Sequence, residues 1–279
     1  MIQRTLLYVL TALLLLSFNQ HATSNQHANT QVGSAFFPDY NAFENAIDDL
    51  LGSYVNDAGY VDYQAWSEDV SDMTLLNALV QAFAGFDPDD HEAVFANQDA
   101  ALAHYINAYN IFAIHEVLQR YPVDTIRPTV LFIPERSFFT EQRYQLLNDQ
   151  YSLDELENEI IRADFGEPRI HFAINCASFS CPKLRPEAYV SERLDEQLNE
   201  QTRQFLNDSE RNQFDIDNNI ARISKIFDWF AEDFEDAGGV ASYLSQFAEG
   251  DTLELLSSED VNITYMSYNW RLNSQQLNP

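Results

Sequence analysis

Between Asp99 and Arg120 the sequence places an apolar residue on nearly every face of a helix. Leu102, Tyr105, Ile106, Tyr109, Phe112, Ile114, Val117 and Leu118 leave no continuous polar stripe, and Pro122 ends the run. A helix of this kind needs cover on all sides, so it has to be central to whatever fold contains it. The polar groups inside it, His104, Asn107, Asn110 and His115, must then find partners in the elements packed around them. With 279 residues, of which 46% are apolar, the chain has the material to build that cover.

Helical spacing recurs over Asp39 to Tyr54 and Met73 to Phe83. Ser152, with Glu155 at the capping-box position, predicts a helix through Arg162. Glu187 to Asn207 reads as another, and Ser224 as the cap of Lys225 to Phe234, which Gly238 and Gly239 separate from Val240 to Phe247. Strand signals are fewer. Phe139 to Leu147 and Tyr151 flank the turn Asn148-Asp149-Gln150, and Phe214 to Asp217 and Ile220 to Ile223 flank Asn218-Asn219. Arg169 to Asn175 and Asn262 to Tyr268 complete the set. Helices and hairpins in separate runs predict an α+β fold: a mainly helical single domain with a small, mostly antiparallel sheet, over residues 36–272. Residues 25–35 read as a flexible polar spacer, and 273–279 as a polar tail of the same kind.

Arg4 is the only charge before Asp39, and the apolar run Leu6 to Phe18 follows it. That run is shorter than the ~20 residues a membrane span requires. With Ala22-Thr23-Ser24 offering small residues at a cut after Ser24, it reads as a signal peptide over 1–24. The expected location is therefore outside the cytoplasm, periplasmic or secreted, with no membrane contact once the leader is removed.

Charge narrows the partners. Lys+Arg number 15 against 44 Asp+Glu, a net −29, so a polyphosphate backbone is excluded as a partner and an anionic lipid surface is disfavoured. No Lys or Arg occurs from Thr5 to Gln119, while thirteen of the fifteen lie between Arg120 and Lys225, so the acidic first part can lean on the more basic middle. Phosphate-loop, dinucleotide, nucleophile-elbow and zincin motifs are all missing. Asp215-Ile216-Asp217-Asn218-Asn219 begins like a calcium loop but continues with Ile220 and Ile226 where Gly and Glu belong, and it reads better as a hairpin turn. Asp87-Pro88-Asp89-Asp90-His91 reads as a helix start.

The densest chemistry lies in HFAINCASFSCPKLRP, His171 to Pro186, which holds both cysteines of the chain. Cys181 precedes Pro182, a residue favoured at the first position of a helix, so it is placed to cap a short helical turn whose free N–H groups favour a thiolate. Lys183 and Arg185 push in the same direction. On an extended strand His171 and Cys176 would stand about 16 Å apart on opposite faces. A histidine base therefore needs either a turn that folds back or a histidine from the long helix, of which His115 is preferred to His104. Candidate catalytic residues are Cys181, Cys176, His171 and His115. Candidate binding residues are Asn107, Asn110, Asn175 and Asn269. The spacing H-x4-C-x4-C matches no common zinc set, and neither metal nor other cofactor is expected.

Five blocks resemble one known family. INAYNIFAIHEVL (Ile106 to Leu118), SLDELENEIIR (Ser152 to Arg162), RIHFAINCASFSCPKLR (Arg169 to Arg185), ISKIFDWFAEDF (Ile223 to Phe234) and YMSYNWRLN (Tyr265 to Asn273) are similar to successive blocks of the domain of unknown function 547 family. The resemblance spans roughly Leu102 to Asn273 and implies that domain, but no established reaction. Members of the family carry Tyr-Asp-Trp near the end, and here Asn269 stands at the aspartate position.

The cysteine block admits several chemistries. A structural Cys176–Cys181 bridge suits an oxidising compartment, and with it goes a non-catalytic domain binding a small molecule or peptide. A cysteine nucleophile with a histidine base would make a thiol-dependent hydrolase or acyl transferase. A redox thiol pair, a transition-metal site and plain core packing are the remaining readings.

Overall fold

The computed structural model describes residues 36–86, 88, 91–127, 138–146 and 149–278. The expected leader and spacer lie outside these residues, as do Asp87, Asp89 and Asp90 of the acidic helix start and Leu147 and Asn148 of the first hairpin. Three helices come first: α1 (Tyr40–Tyr54), capped by Asp39, α2 (Tyr63–Glu68) and α3 (Val70–Ala82). The long helix follows as α4 (Gln98–Arg120), with Asn97 as its N-cap. Buried positions run round all its faces, from Ala100 to Leu118, so the central placement read from the sequence holds.

Strands β1 (Tyr144–Leu146) and β2 (Asp149–Tyr151) form an antiparallel pair. Helix α5 occupies 153–165. It opens with the capping box of Ser152 and Glu155, is π-helical over Leu156–Ile161, and ends at Gly166 in the left-handed conformation. Helix α6 (Leu194–Leu206) is entered through a 3-10 turn at Ser191–Arg193. The expected start at Glu187 is too early because Glu187 is drawn to Arg185 and Arg193, and the backbone N–H groups of Ala188 and Tyr189 donate to Asp48 and Asn107 from other elements.

A second sheet carries β3 (Gln213–Asp215), β4 (Ile220–Ile223) and β5 (Asn262–Tyr265), with β3 antiparallel and β5 parallel to β4. Between β4 and β5 lie α7 (Ile226–Trp229), a 3-10 stretch over Ala231–Ala237, α8 (Val240–Ser245) and α9 (Gly250–Leu256). The whole is a mainly helical α+β fold with a small antiparallel sheet and a small mixed one. The single helix expected from Lys225 to Phe234 is broken at Phe230, where the α turn tightens into 3-10. The strand expected over Arg169 to Asn175 is a 3-10 helix, Pro168–Phe172, followed by a turn. Its alternating pattern serves two cores. Ile170, Ala173 and Ile174 face the apolar cluster around α4, while Phe172 faces a second cluster with Phe205, Phe227 and Phe234.

Residues 273–278 are not a free tail. Val61 N–H donates to Asn273 at 2.9 Å, Ser274 bridges to Val61, and Tyr63 Oη donates to the buried Asn273 side chain at 2.9 Å. Polar composition suggested solvent, but these groups pay for burial with hydrogen bonds.

Gly59 marks a tight approach. Its φ is +80°, and a Cβ there would sit 2.8 Å from Lys183 Cα, just beyond the cysteine turn. Gly239 has φ +92° with open space around it. Gly239→Ala is therefore expected to cost about 1–3 kcal/mol, because φ +92° with ψ 175° is a backbone combination essentially reserved for glycine. Gly59→Ala is expected to cost more, because the Lys183 backbone must also shift. Urea unfolding of both variants checks the order.

Candidate functional site

The turn after the 3-10 helix is held to α4 by asparagines. Asn110 donates to the carbonyl of Ala173 at 3.0 Å and accepts from Asn175 N–H at 2.7 Å. Asn175 accepts from Ala177 N–H at 2.8 Å and donates to Pro182 O at 2.6 Å, closing the loop on itself. Asn107 does the same for Tyr189, accepting from its N–H and donating to its carbonyl, both at 2.8 Å. With the loop so pinned, Ala177 is carried into the left-handed region at φ +64° and the two cysteines face each other. They form a disulfide-capable pair, sulfurs within bonding reach and Cα atoms 6.3 Å apart. Cys181 does not cap a helix, because the chain after Pro182 is irregular. Its N–H goes instead to Ser178 O at 3.1 Å.

Both sulfurs border a cleft of about 270 Å³. Cys181 is buried and Cys176 half-buried. The Tyr268 hydroxyl lies 3.3 Å from each sulfur and 2.7 Å from Ser178 Oγ. The other walls are mostly aromatic: Tyr109 from α4, Phe139, Trp229 from α7, Phe230 and Trp270. Trp229, Tyr268 and Trp270 pack on one another with centroids 4.5–5.7 Å apart, and Trp229 keeps 44% of its surface exposed. Two carboxylic residues of α5, Asp154 and Glu157, complete the lining together with Asn158 and His171.

His171 is buried at the cleft wall, its ring stacked on Phe230 at 4.2 Å. Nε2 lies 2.6 Å from Asp233 Oδ2. Burial lowers the imidazole pKa more than Asp233 raises it, so the ring is neutral near pH 7. A carboxylate only accepts, so Nε2 carries the proton and Nδ1 keeps its lone pair. Among the described residues Nδ1 makes no hydrogen bond. Burial opposes ionisation of Asp233, but His171 and Arg162 outweigh it and hold the carboxyl well below its usual range. Arg162 grips both oxygens of Asp233, at 2.8 and 2.7 Å, and also reaches Asn158 and Glu232. Glu157 behaves oppositely. Half-buried at the cleft wall, and among the described residues accepting only from Tyr109 Oη at 3.3 Å, its carboxyl is pushed up by burial to about 7.

The remaining sequence candidates stand elsewhere. Both ring nitrogens of His115 are engaged, Nδ1 with Tyr144 Oη and Nε2 with Asn77 Oδ1, each at 3.1 Å, and burial lowers its pKa to about 4. It does not line the cleft. His104 is sealed among Phe43, Phe83 and Phe95, where burial lowers its pKa to about 3. Asn107, Asn110, Asn175 and Asn269 are also absent from the cleft lining. The first three hold backbone, and Asn269 accepts from Arg271 N–H at 3.0 Å while its own N–H reaches Ser180 Oγ. The sequence reading missed Glu157, Asp233, Arg162 and the aromatic wall. All of these except Phe139 lie inside the family-like blocks, so those blocks were the available signal. No group of three or more His, Cys, Asp or Glu among the described residues is arranged to hold a metal ion. None of their helices is long and apolar enough to cross a membrane.

The fold and the cleft thus define a helical α+β domain with a cysteine pair at the floor of an aromatic pocket. Residues 94–206 match the family model described as Protein of unknown function, DUF547. No curated protein and no solved structure matches the chain. The matched stretch contains α4, α5, the cysteine turn and α6, so the floor of the cleft belongs to it. The rim residues Trp229, Phe230, Tyr268 and Trp270, and Asp233, lie beyond it.

The two acids give opposite pH dependences. Asp233, depressed in the fold, contributes stability above its ordinary value of 3.8 that is lost as pH falls through the lower folded value. Glu157, raised, contributes stability below its ordinary 4.5 that is lost as pH rises through about 7. Glu157→Gln is expected to flatten the decline in unfolding free energy from about pH 5 to 8 and to leave the acid limb unchanged, as followed by urea titration at each pH.

Proposed function

We propose that this is an exported ligand-binding protein whose aromatic cleft takes a small molecule or a single side chain of a peptide, with a Cys176–Cys181 bridge as part of its floor. The observation that carries the reading is the cleft itself: a cavity of about 270 Å³ walled by aromatic rings, with a few convergent polar groups and both sulfurs turned toward each other. Paired sulfurs leave no thiolate at rest, which favours binding over catalysis. The volume suits a compact ligand rather than an extended chain.

One observation favours a second reading. The neutral His171 ring, oriented by Asp233, lines the same cleft as Cys176, the more exposed sulfur. If an external dithiol reduces the bridge, two thiols result. His171 Nδ1 then removes the Cys176 proton, the sulfur attacks an ester, thioester or amide carbonyl, and the proton passes to the leaving group. Water, or a second acyl acceptor, releases the acyl group from sulfur. This is a thiol-dependent hydrolase or acyl transferase.

Peptide mapping without reductant, paired with iodoacetamide labelling and ligand-observed fragment screening, separates the two. The binding reading expects a quantitative 176–181 link, no label before reduction, and fragments competed from the cleft by replacing Trp229 with alanine. Rapid labelling of the unreduced protein, with ester hydrolysis abolished by Cys176→Ser, overturns it in favour of the enzyme.

A further inference from the structure

The charge of the cleft says more about the ligand, and the inference rests on the binding reading above. Asp154 and Glu157 line the cavity, and among the described residues no Lys or Arg does. Three described cations, Arg162, Arg211 and Lys225, are each committed to acids or carbonyls. Arg162 is held by Asp233 and Glu232, Arg211 by Asp208 and the carbonyls of Cys181 and Phe179, and Lys225 by Asp228. One oxygen of Glu157 accepts from Tyr109, and the other makes no hydrogen bond among the described residues. The same cavity is lined by Trp229, Tyr268 and Trp270, which pack on one another. Among the described residues, an anion placed here would meet two carboxyl groups and no counter-charge in the lining. A hard metal ion would want several oxygen ligands, and these are not gathered. A bulky organic cation is suited on both counts, because ring quadrupoles attract it and its apolar shell costs little to desolvate.

We propose that the cleft selects an organic ammonium group, seated against Trp229, Tyr268 and Trp270 with Glu157 as its counter-charge.

The cation binds the ionised form of Glu157. The groups facing that carboxyl are Tyr109 from α4, Asp154 and Arg162 from α5, Asp233 from the 3-10 stretch and Tyr268 after β5. Of these, Asp233 is held ionised and Arg162 charged between pH 6 and 8, and Tyr109 and Tyr268 stay neutral. Affinity for an ammonium ion therefore rises with pH through about 7, following Glu157.

The test compares three probes of nearly one shape at constant ionic strength: choline, the neutral alcohol with a tert-butyl head in place of trimethylammonium, and tert-butylacetate. Binding to the oxidised, full folded protein is read by calorimetry and by the fluorescence of Trp229 and Trp270. Choline is expected to bind at least about tenfold tighter than the neutral isostere, with the anion weakest. Its affinity is expected to fall about tenfold from pH 8 to pH 6 and by a similar factor in Glu157→Gln. Asp251→Asn, an exposed acid on α9, is expected to change nothing. Equal binding of choline and the neutral alcohol in the cleft overturns ammonium selectivity and leaves the binding reading standing. Equal weakening by Asp251→Asn also overturns it, because the general negative field then suffices. Failure of every probe, and of every fragment in the earlier screen, removes both. The isostere and pH arms use the unaltered chain, so they decide the matter even if Glu157→Gln does not fold.

Discussion

The grip of Asn110 on the backbone around Ala173 and Asn175 is the constraint on which the rest depends. It is one side chain in the middle of a buried helix, and it supplies both a donor and an acceptor to a turn with no regular ladder to satisfy it. Left unpaired, each such buried group would cost roughly 1–3 kcal/mol. Paired, it turns an irregular segment into a fixed one. From that point the chain has little freedom. Asn175 closes the loop, Ala177 accepts an unfavourable backbone angle, and the cysteines are brought face to face. The asparagines that looked like candidate ligand contacts are the frame of the site.

The cleft lies where two apolar clusters meet. Tyr109 and Ile174 reach it from the cluster around α4, and Ile226 and Phe230 from the smaller cluster around β4 and α8. Arg162 ties the seam together, since it comes from α5 and closes on Asp233 beyond α7. The ion pair leaves one charge-balanced unit behind the imidazole. Glu157, one turn earlier on the same helix, lacks such compensation. The π-helical stretch that contains Glu157 widens the helix where it borders the cavity, a distortion frequent at functional positions.

Much of the frame was legible in the sequence. The all-round apolar pattern of α4 predicted its burial. The Ser152–Glu155 capping box fixed the start of α5, and Asn218-Asn219 the hairpin of β3 and β4. The cysteine block located the floor of the cleft. What could not be read is the pairing across long separations. Nothing local tells that Asp233 belongs to His171, sixty-two residues earlier, or that Tyr268 hangs over both sulfurs. The 3-10 helix at Pro168–Phe172 imitated a strand because its side chains serve two cores. Residues 273–278 imitated a tail because their burial is satisfied by hydrogen bonds rather than by apolar surface.

That last segment has a consequence for the order in which the molecule is built. Translation delivers α4, α5 and the cysteine turn early, and all three can collapse together as they emerge. The strip from Tyr268 to Asn278 arrives last, yet it runs past Thr125, Ser178 and Val61 and supplies two rings of the cavity wall. Until it docks, the sulfurs lack the Tyr268 hydroxyl beside them and the cavity lacks two of its rings. The cysteine turn and the helices around it, made earlier, are therefore only part of a pocket, and the cleft exists as a cavity only once this strip has been laid across them.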